Sequence, residues 1–191
     1  MTTIRIGTRG SALALWQANY VANALESAHA DVNTELTIYK TKGDHILDRP
    51  LAEIGGKGLF TKELEVGLLN HDVDIAVHSL KDMPTALPEG LTLGSIPKRA
   101  DVRDCLLRRR DEMDHPNTIG TASLRRGALG KRRFPKTVIK SIRGNVETRL
   151  NRLFSDANDR CDAVILAMAG LIRLKLNKTR EDVDFLPLNP E

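Results

Sequence analysis

The run Ala76-Val77-His78-Ser79-Leu80-Lys81-Asp82-Met83-Pro84 sets an imidazole, a hydroxyl, an ammonium and a carboxylate side by side. It follows Val73-Asp74-Ile75, so a buried strand ends abruptly in polar groups, and Pro84 forbids a helix beyond it. A lone carboxylate among cations stays ionised. It can stabilise a developing cation or move a proton. Asp82 beside Lys81 also reads as half of a surface ion pair, worth at most about 1 kcal/mol. Its place at a strand end of an open α/β sheet favours the chemical role.

Three further segments share this grammar of strand end, hydroxyl residue, cation and helix start. They are Thr8-Arg9-Gly10-Ser11, Thr121-Ala122-Ser123-Leu124-Arg125-Arg126 and Ser141-Ile142-Arg143-Gly144-Asn145, with Arg149 shortly after the last. A helix start presents unpaired amides and about half a positive charge. Arginine adds a planar fork that matches carboxylate or phosphate. Several such segments on one sheet edge favour a polyanionic ligand. Arg125 and Arg126 stand at a helix start and are read as functional, whereas Lys131, Arg132 and Arg133 are read as a solvated basic face. Gly55-Gly56-Lys57-Gly58 departs from the phosphate-loop pattern and is read as a mobile loop carrying a cation, Lys57. His78 is read as a packed histidine, and the five histidines suggest no metal site.

The elements that would position these groups alternate. Strands are expected at 3–7, 34–40, 73–79, 91–96, 104–107, 118–120, 137–142 and 163–167. Helices are expected at 12–27, 59–70, 123–134, 145–154 and 170–176. Alternation of this kind predicts mainly parallel sheets with helices on both faces. Ile6-Gly7-Thr8 before Ser11 is echoed by Ile119-Gly120-Thr121 before Ser123, which suggests two similarly built α/β domains, 1–97 and 98–191. Charge divides at the same place. Residues 1–97 hold 8 Lys and Arg against 12 Asp and Glu, while 98–191 hold 21 against 13, so the second half is expected to face something acidic.

Composition narrows the function classes. An apolar fraction of 41% supports a core, and 4% aromatics make that core aliphatic. No stretch approaches a membrane span, and the first residues lack the pattern of a secretory signal. Cys105 and Cys161 have neither a CxxC partner nor metal-type spacing. They are expected to be buried, reduced thiols in a cytoplasmic protein. Few aromatics means few stacking platforms for nucleic acid, so neither nucleic acid nor membrane is expected as a partner.

Together, "IGTRGSALALWQA" (6–18), "GDHILDRPLAEIGGKGLFTKELE" (43–65), "DIAVHSLKDMP" (74–84), "GTASLRR" (120–126), "SIRGNVETRL" (141–150) and "AVILAMAGLIRL" (163–174) resemble the porphobilinogen deaminase (hydroxymethylbilane synthase) family, over residues 4 to about 176. The resemblance implies a fold like the type II periplasmic binding proteins: two doubly wound α/β domains with a cleft between them. It implies an enzyme of tetrapyrrole and heme biosynthesis. Porphobilinogen loses ammonia, leaving a cationic azafulvene-like species, and is joined head to tail into hydroxymethylbilane on a dipyrromethane cofactor. By resemblance Asp82 is the catalytic acid, and Lys81, Thr121, Ser123, Arg125 and Arg126 hold cofactor carboxylates. Arg9, Ser11, Lys57, Ser79, Arg143, Asn145, Arg149 and Arg173 would handle substrate or growing chain. The family's third domain, whose cysteine tethers the cofactor, has no counterpart here, and Cys105 and Cys161 do not match the tether. The expectation is therefore a chain whose missing C-terminal domain is supplied separately, or else a non-catalytic pyrrole-carboxylate binding module.

Overall fold

A computed structural model describes residues 1–45, 58–110 and 114–189. The chain divides into two units, Met1–Pro97 and Lys98–Glu191. In the first, β1 (Thr2–Arg9) lies between β2 (Val32–Tyr39) and the short β3 (Ile75–Ala76), all parallel. Register runs from Thr2 opposite Val32 to Arg9 opposite Tyr39, with Gly7 opposite Ala76. The helix α1 (Ala12–Ala28) lays Ala18 and Ala22 against Ile6, with Ile4, Leu36, Ile75 and Val77 around them. Two more helices follow, α2 (Lys42–His45) and α3 (Lys62–Leu69). Arg5 fixes the approach to β3: its backbone N donates to Asp74 Oδ2 at 2.8 Å and its guanidinium to Oδ1 at 2.7 Å. These bonds pull the Asp74 carboxyl down to about 2.

The second unit has a five-stranded sheet ordered β6-β5-β7-β4-β8. Its parallel part is β5 (Thr118–Gly120), β6 (Val138–Lys140) and β7 (Ala163–Ala167). Against these, β4 (Asp104–Arg109) runs antiparallel to β7 and also to β8 (Val183–Leu188). Alternation along β4 and β7 builds two cores. Cys105, Leu107, Val164 and Leu166 face Ile142, Leu150, Leu153 and Leu171, contributed by the loop after β6, by α5 (Val146–Leu150) with the 3-10 turn after it, and by α6 (Met168–Arg173). Leu106, Ala163 and Ile165 face the other way, under α4 (Leu124–Arg133). A last turn, α7 (Leu176–Thr179), adds Leu176 to the first of these cores.

Three differences from the sequence expectation have physical causes. Residues 91–96 form no strand: among the described residues none pairs with them, and Leu93 and Ile96 are exposed. A strand exists only through its ladder. The strand expected over 73–79 is reduced to two residues, because its chain turns into a 3-10 turn at Leu80–Asp82. The second sheet is mixed rather than mainly parallel, through β4. Residues 46–57, with Lys57, lie outside the described residues.

Gly120 ends β5 where space is smallest. A Cβ there would sit 2.9 Å from both Cys161 Sγ and Ile142 Cδ1, closer than carbon tolerates. Gly120→Ala is expected to cost about 1–3 kcal/mol, read as a lower urea midpoint at unchanged m-value.

Candidate functional site

In the first unit, parallel pairing of β1 and β3 brings Arg9 and the segment after Ala76 to one sheet edge. Arg9 ends β1, and its guanidinium lies 4.2 Å from the centroid of the Phe60 ring, a cation–π contact. Ser11 caps α1, its hydroxyl accepting from Ala14 N at 3.3 Å. Buried Thr8 donates to Ala14 O at 3.3 Å and ties strand to helix. Beyond β3, Val77 N donates to Gly7 O at 3.0 Å, so the strand course continues one residue before turning. Asp82 N donates to Ser79 O at 2.9 Å and closes the 3-10 turn. The Ser79 hydroxyl meets the Gln17 carboxamide at 3.1 Å, which straps the turn to α1.

Lys81 and Asp82 then diverge. The Lys81 side chain is 81% exposed and Asp82 27%, with Nζ 3.7 Å from Oδ1. That separation exceeds a hydrogen bond, so the pair holds neither group in place. Asp82 is instead a half-buried carboxylate fixed by its backbone. Burial pushes the neighbouring His78 imidazole down. Asp82 and Glu65 oppose that shift, and Arg9 reinforces it.

In the second unit the carboxyl ends of β5 and β6 carry most of the remaining residues. Thr121 N donates to Lys140 O at 2.9 Å, and Thr121 Oγ1 accepts from Ser123 N at 3.2 Å. Ser123 caps α4, accepting from Arg126 N at 3.4 Å. After β6, Gly144 takes φ 104, a left-handed conformation that favours glycine. Asn145 Oδ1 then accepts from Thr148 N and Thr148 Oγ1, both at 2.8 Å, and caps α5. Arg149 Nε donates to Gly144 O at 2.7 Å. Burial pushes the Arg149 guanidinium down, and the charges of Arg143 and Arg126 push it further. Three arginines from three segments therefore feel one another. Arg173 is the last residue of α6, more than a turn past the end of β7.

Sequence reasoning passed over Asp104. Because β4 is antiparallel, its first residue lies opposite Ala167, at the same edge as the carboxyl ends of β5 and β7. The Asp104 side chain is 8% exposed. Arg125 Nη1 lies 2.8 Å from its Oδ2 and Nη2 donates to Oδ1 at 3.2 Å, while Arg126 Nε donates to Oδ1 at 2.9 Å. Burial works to raise the carboxyl, but the two guanidiniums outweigh it and hold it below its ordinary value. Gln17 and Phe60 were also passed over. Neither residue type announces a site, although Phe60 is one of only four phenylalanines.

The chain thus joins two α/β units, one with a half-buried carboxylate just past a strand end and one with several guanidiniums at a sheet edge. The family model "Porphobilinogen deaminase, dipyromethane cofactor binding domain" matches residues 4–190, and the chain belongs to that family. Its family-level chemistry is thus tetrapyrrole formation with a dipyrromethane cofactor. Solved structures similar to it include the ancestral cationic amino acid solute binding protein AncCDT-1 (14% identity, TM-score 0.49, covering 99% of this chain and 78% of that one). Others are the unliganded, open L-cystine solute receptor of Neisseria gonorrhoeae (12%, 0.47, 100% and 75%) and the BenM effector binding domain with benzoate (13%, 0.48, 100% and 79%). At such identities the likeness concerns fold alone. No helix among the described residues is long and apolar enough to cross a membrane.

The residues present fit the cofactor. Burial pushes the Arg149 guanidinium down and the charges of Arg143 and Arg126 push it further, a cost that a group carrying several carboxylates would relieve. The two thiols do not fit a tether. Both are free and fully buried, and burial pushes Cys105 up to about 12 and raises Cys161. Native protein is expected to leave both cysteines unmodified by iodoacetamide, with two adducts per chain after denaturation, counted by intact mass.

His78 yields a second prediction, in pH. Its folded value lies below the ordinary 6.5, so the unfolded chain binds the proton more readily. Its contribution is complete above that value and is lost as pH falls through the folded one. Urea midpoints at about pH 7.5 and about pH 5 should converge in His78→Gln relative to the parent chain.

Proposed function

We propose that the chain carries the cofactor- and substrate-binding units of a deaminating transferase that condenses porphobilinogen into hydroxymethylbilane. The observation that carries this reading is the gathering of arginines at one sheet edge: Arg125 and Arg126 at the start of α4, both on Asp104 within 2.9 Å, and Arg149, which donates to Gly144 O at 2.7 Å and feels the charges of Arg143 and Arg126. Such a cluster suits the acetate and propionate groups that each pyrrole brings. Lys81, Thr121, Ser123, Arg125 and Arg126 would hold the carboxylates of the dipyrromethane. Arg9, Ser11, Lys57, Ser79, Arg143, Asn145, Arg149 and Arg173 would hold substrate and growing chain. When bound, that cofactor supplies the free pyrrole carbon from which elongation starts.

Asp82 is assigned the chemistry. In the substrate's ammonium form the aminomethyl C–N bond breaks, nitrogen keeps the bonding pair and ammonia leaves. The positive charge remaining spreads over the ring to its N–H. A carboxylate accepting that N–H stabilises the charge where it develops. The 3-10 turn, strapped by Ser79 to Gln17, fixes Asp82 for this without using up its oxygens. The covalent anchor is assigned to a residue other than Cys105 and Cys161. The two buried reduced thiols suit a cytoplasmic setting.

Those thiols also favour a second reading, a binding module without turnover. Calorimetry with a dipyrromethane bearing acetate and propionate arms separates the readings if binding occurs where no product forms. Absence of binding counts against both. In protein completed with the anchor-bearing part, Asp82→Ala is expected to lower hydroxymethylbilane formation by about 10²–10³-fold. Undiminished turnover in that variant would remove Asp82 from the catalytic role.

A further inference from the structure

Asp104 belongs to neither set of residues assigned above, yet it engages two arginines of that edge directly. Its two oxygens engage three guanidinium nitrogens, two from Arg125 and one from Arg126. It is nearly inaccessible, whereas the Arg125 side chain stays 63% exposed and Arg126 18%. A ligand would therefore meet the arginines and not the carboxylate. Asp104 is itself anchored from both sides: it sits in the β4 ladder opposite both Ala167 and Leu188. The residue before it, Arg103, accepts through its carbonyl from Met168 N at 3.0 Å and pairs with Asp101 at 2.7 Å.

We propose that Asp104 is the positioning residue of this edge: its buried carboxylate holds the Arg125 and Arg126 guanidiniums so that Arg126 acts with Arg143 and Arg149 on a single ligand bearing several carboxylates. The inference rests on the reading of that edge as a carboxylate site. Free arginine side chains lose considerable rotamer entropy when ordered, and like charges drive them apart. A carboxylate that has already ordered two of them removes that cost from the binding step. Plain electrostatics predicts the opposite sign. Deleting a negative charge beside a cationic site should strengthen anion binding, so the direction of the effect distinguishes positioning from mere charge.

The test uses the full chain and two probes, the dipyrromethane carboxylate and tricarballylate, whose three carboxylates need no pyrrole. Asp104→Asn is expected to weaken both roughly tenfold and to narrow the preference for tricarballylate over acetate. Asp104→Glu should recover part of each loss. Both variants are compared at a temperature where their circular dichroism matches the parent's. Should Asn not fold, Glu alone decides: a shifted acid must lower the tricarballylate preference, and an unchanged ratio overturns the proposal. Tighter binding in Asp104→Asn, an unaltered preference, or no tricarballylate binding by the parent chain would each overturn it as well. Loss of tricarballylate preference with no dipyrromethane binding by the parent would uphold the positioning role while sinking the tetrapyrrole reading.

Discussion

Bringing several guanidiniums to one edge of a sheet is an electrostatic problem before it is a recognition device. Arg126, Arg143 and Arg149 come from different segments, and the last is half-buried, where charge is expensive. The fold answers at Arg126 with the buried Asp104 carboxylate, which also engages Arg125. Asp104 is dehydrated by the sheet yet still holds its charge, because two arginines give it more than burial takes away. Arg125 and Arg126 are thus held by a carboxylate that is itself nearly inaccessible. The rest of the second unit's edge is built by local devices. The Ser123 and Asn145 caps and the tight turn at Gly144 only bring the arginines to it.

The direction of a single strand decides whether this is possible. Sequence patterning made a β-strand at 104–107 visible, which the structure extends to Arg109, but gave no sign of its polarity. In a wholly parallel sheet the first residue of β4 would lie at the amino edge, far from α4. Antiparallel pairing with β7 reverses this and puts Asp104 beside Ala167. What was legible were the local rules: the Ser11, Ser123 and Asn145 caps all form, as do the strand ends before them. What was not legible were the properties that depend on a neighbour. Residues 91–96 have strand composition but no ladder among the described residues, and Asp104 has the composition of a strand start but the role of a counter-ion.

The first unit solves a different problem, that of keeping one carboxylate available. Asp104 is used up by its arginines, whereas Asp82 has a lysine 3.7 Å away that is mostly in solvent. A carboxylate committed to a strong pair cannot also answer a charge that appears during a reaction. Asp82 is held instead by backbone, through the turn closed at Ser79 and the strap from Ser79 to Gln17. The adjacent imidazole fits this arrangement. His78 is kept from protonation by burial, so it adds no permanent cation that would claim Asp82. The sequence motif identified which acid to consider, but its freedom follows from geometry that no motif states.

The hydroxyl residues of both units follow from the same economy. Ser11, Thr121 and Ser123 each accept a backbone N–H within their own turn, which leaves the hydroxyl hydrogen as a donor. Asn145 spends its oxygen on Thr148 and keeps its amide hydrogens. Capping therefore converts each of these side chains from an acceptor, which would repel a carboxylate, into a donor that can approach one. Recurrence of the pattern before α1, α4 and α5 is then more than helix punctuation. It places hydrogen-bond donors and cations together at strand ends, with each capping oxygen turned to its own backbone.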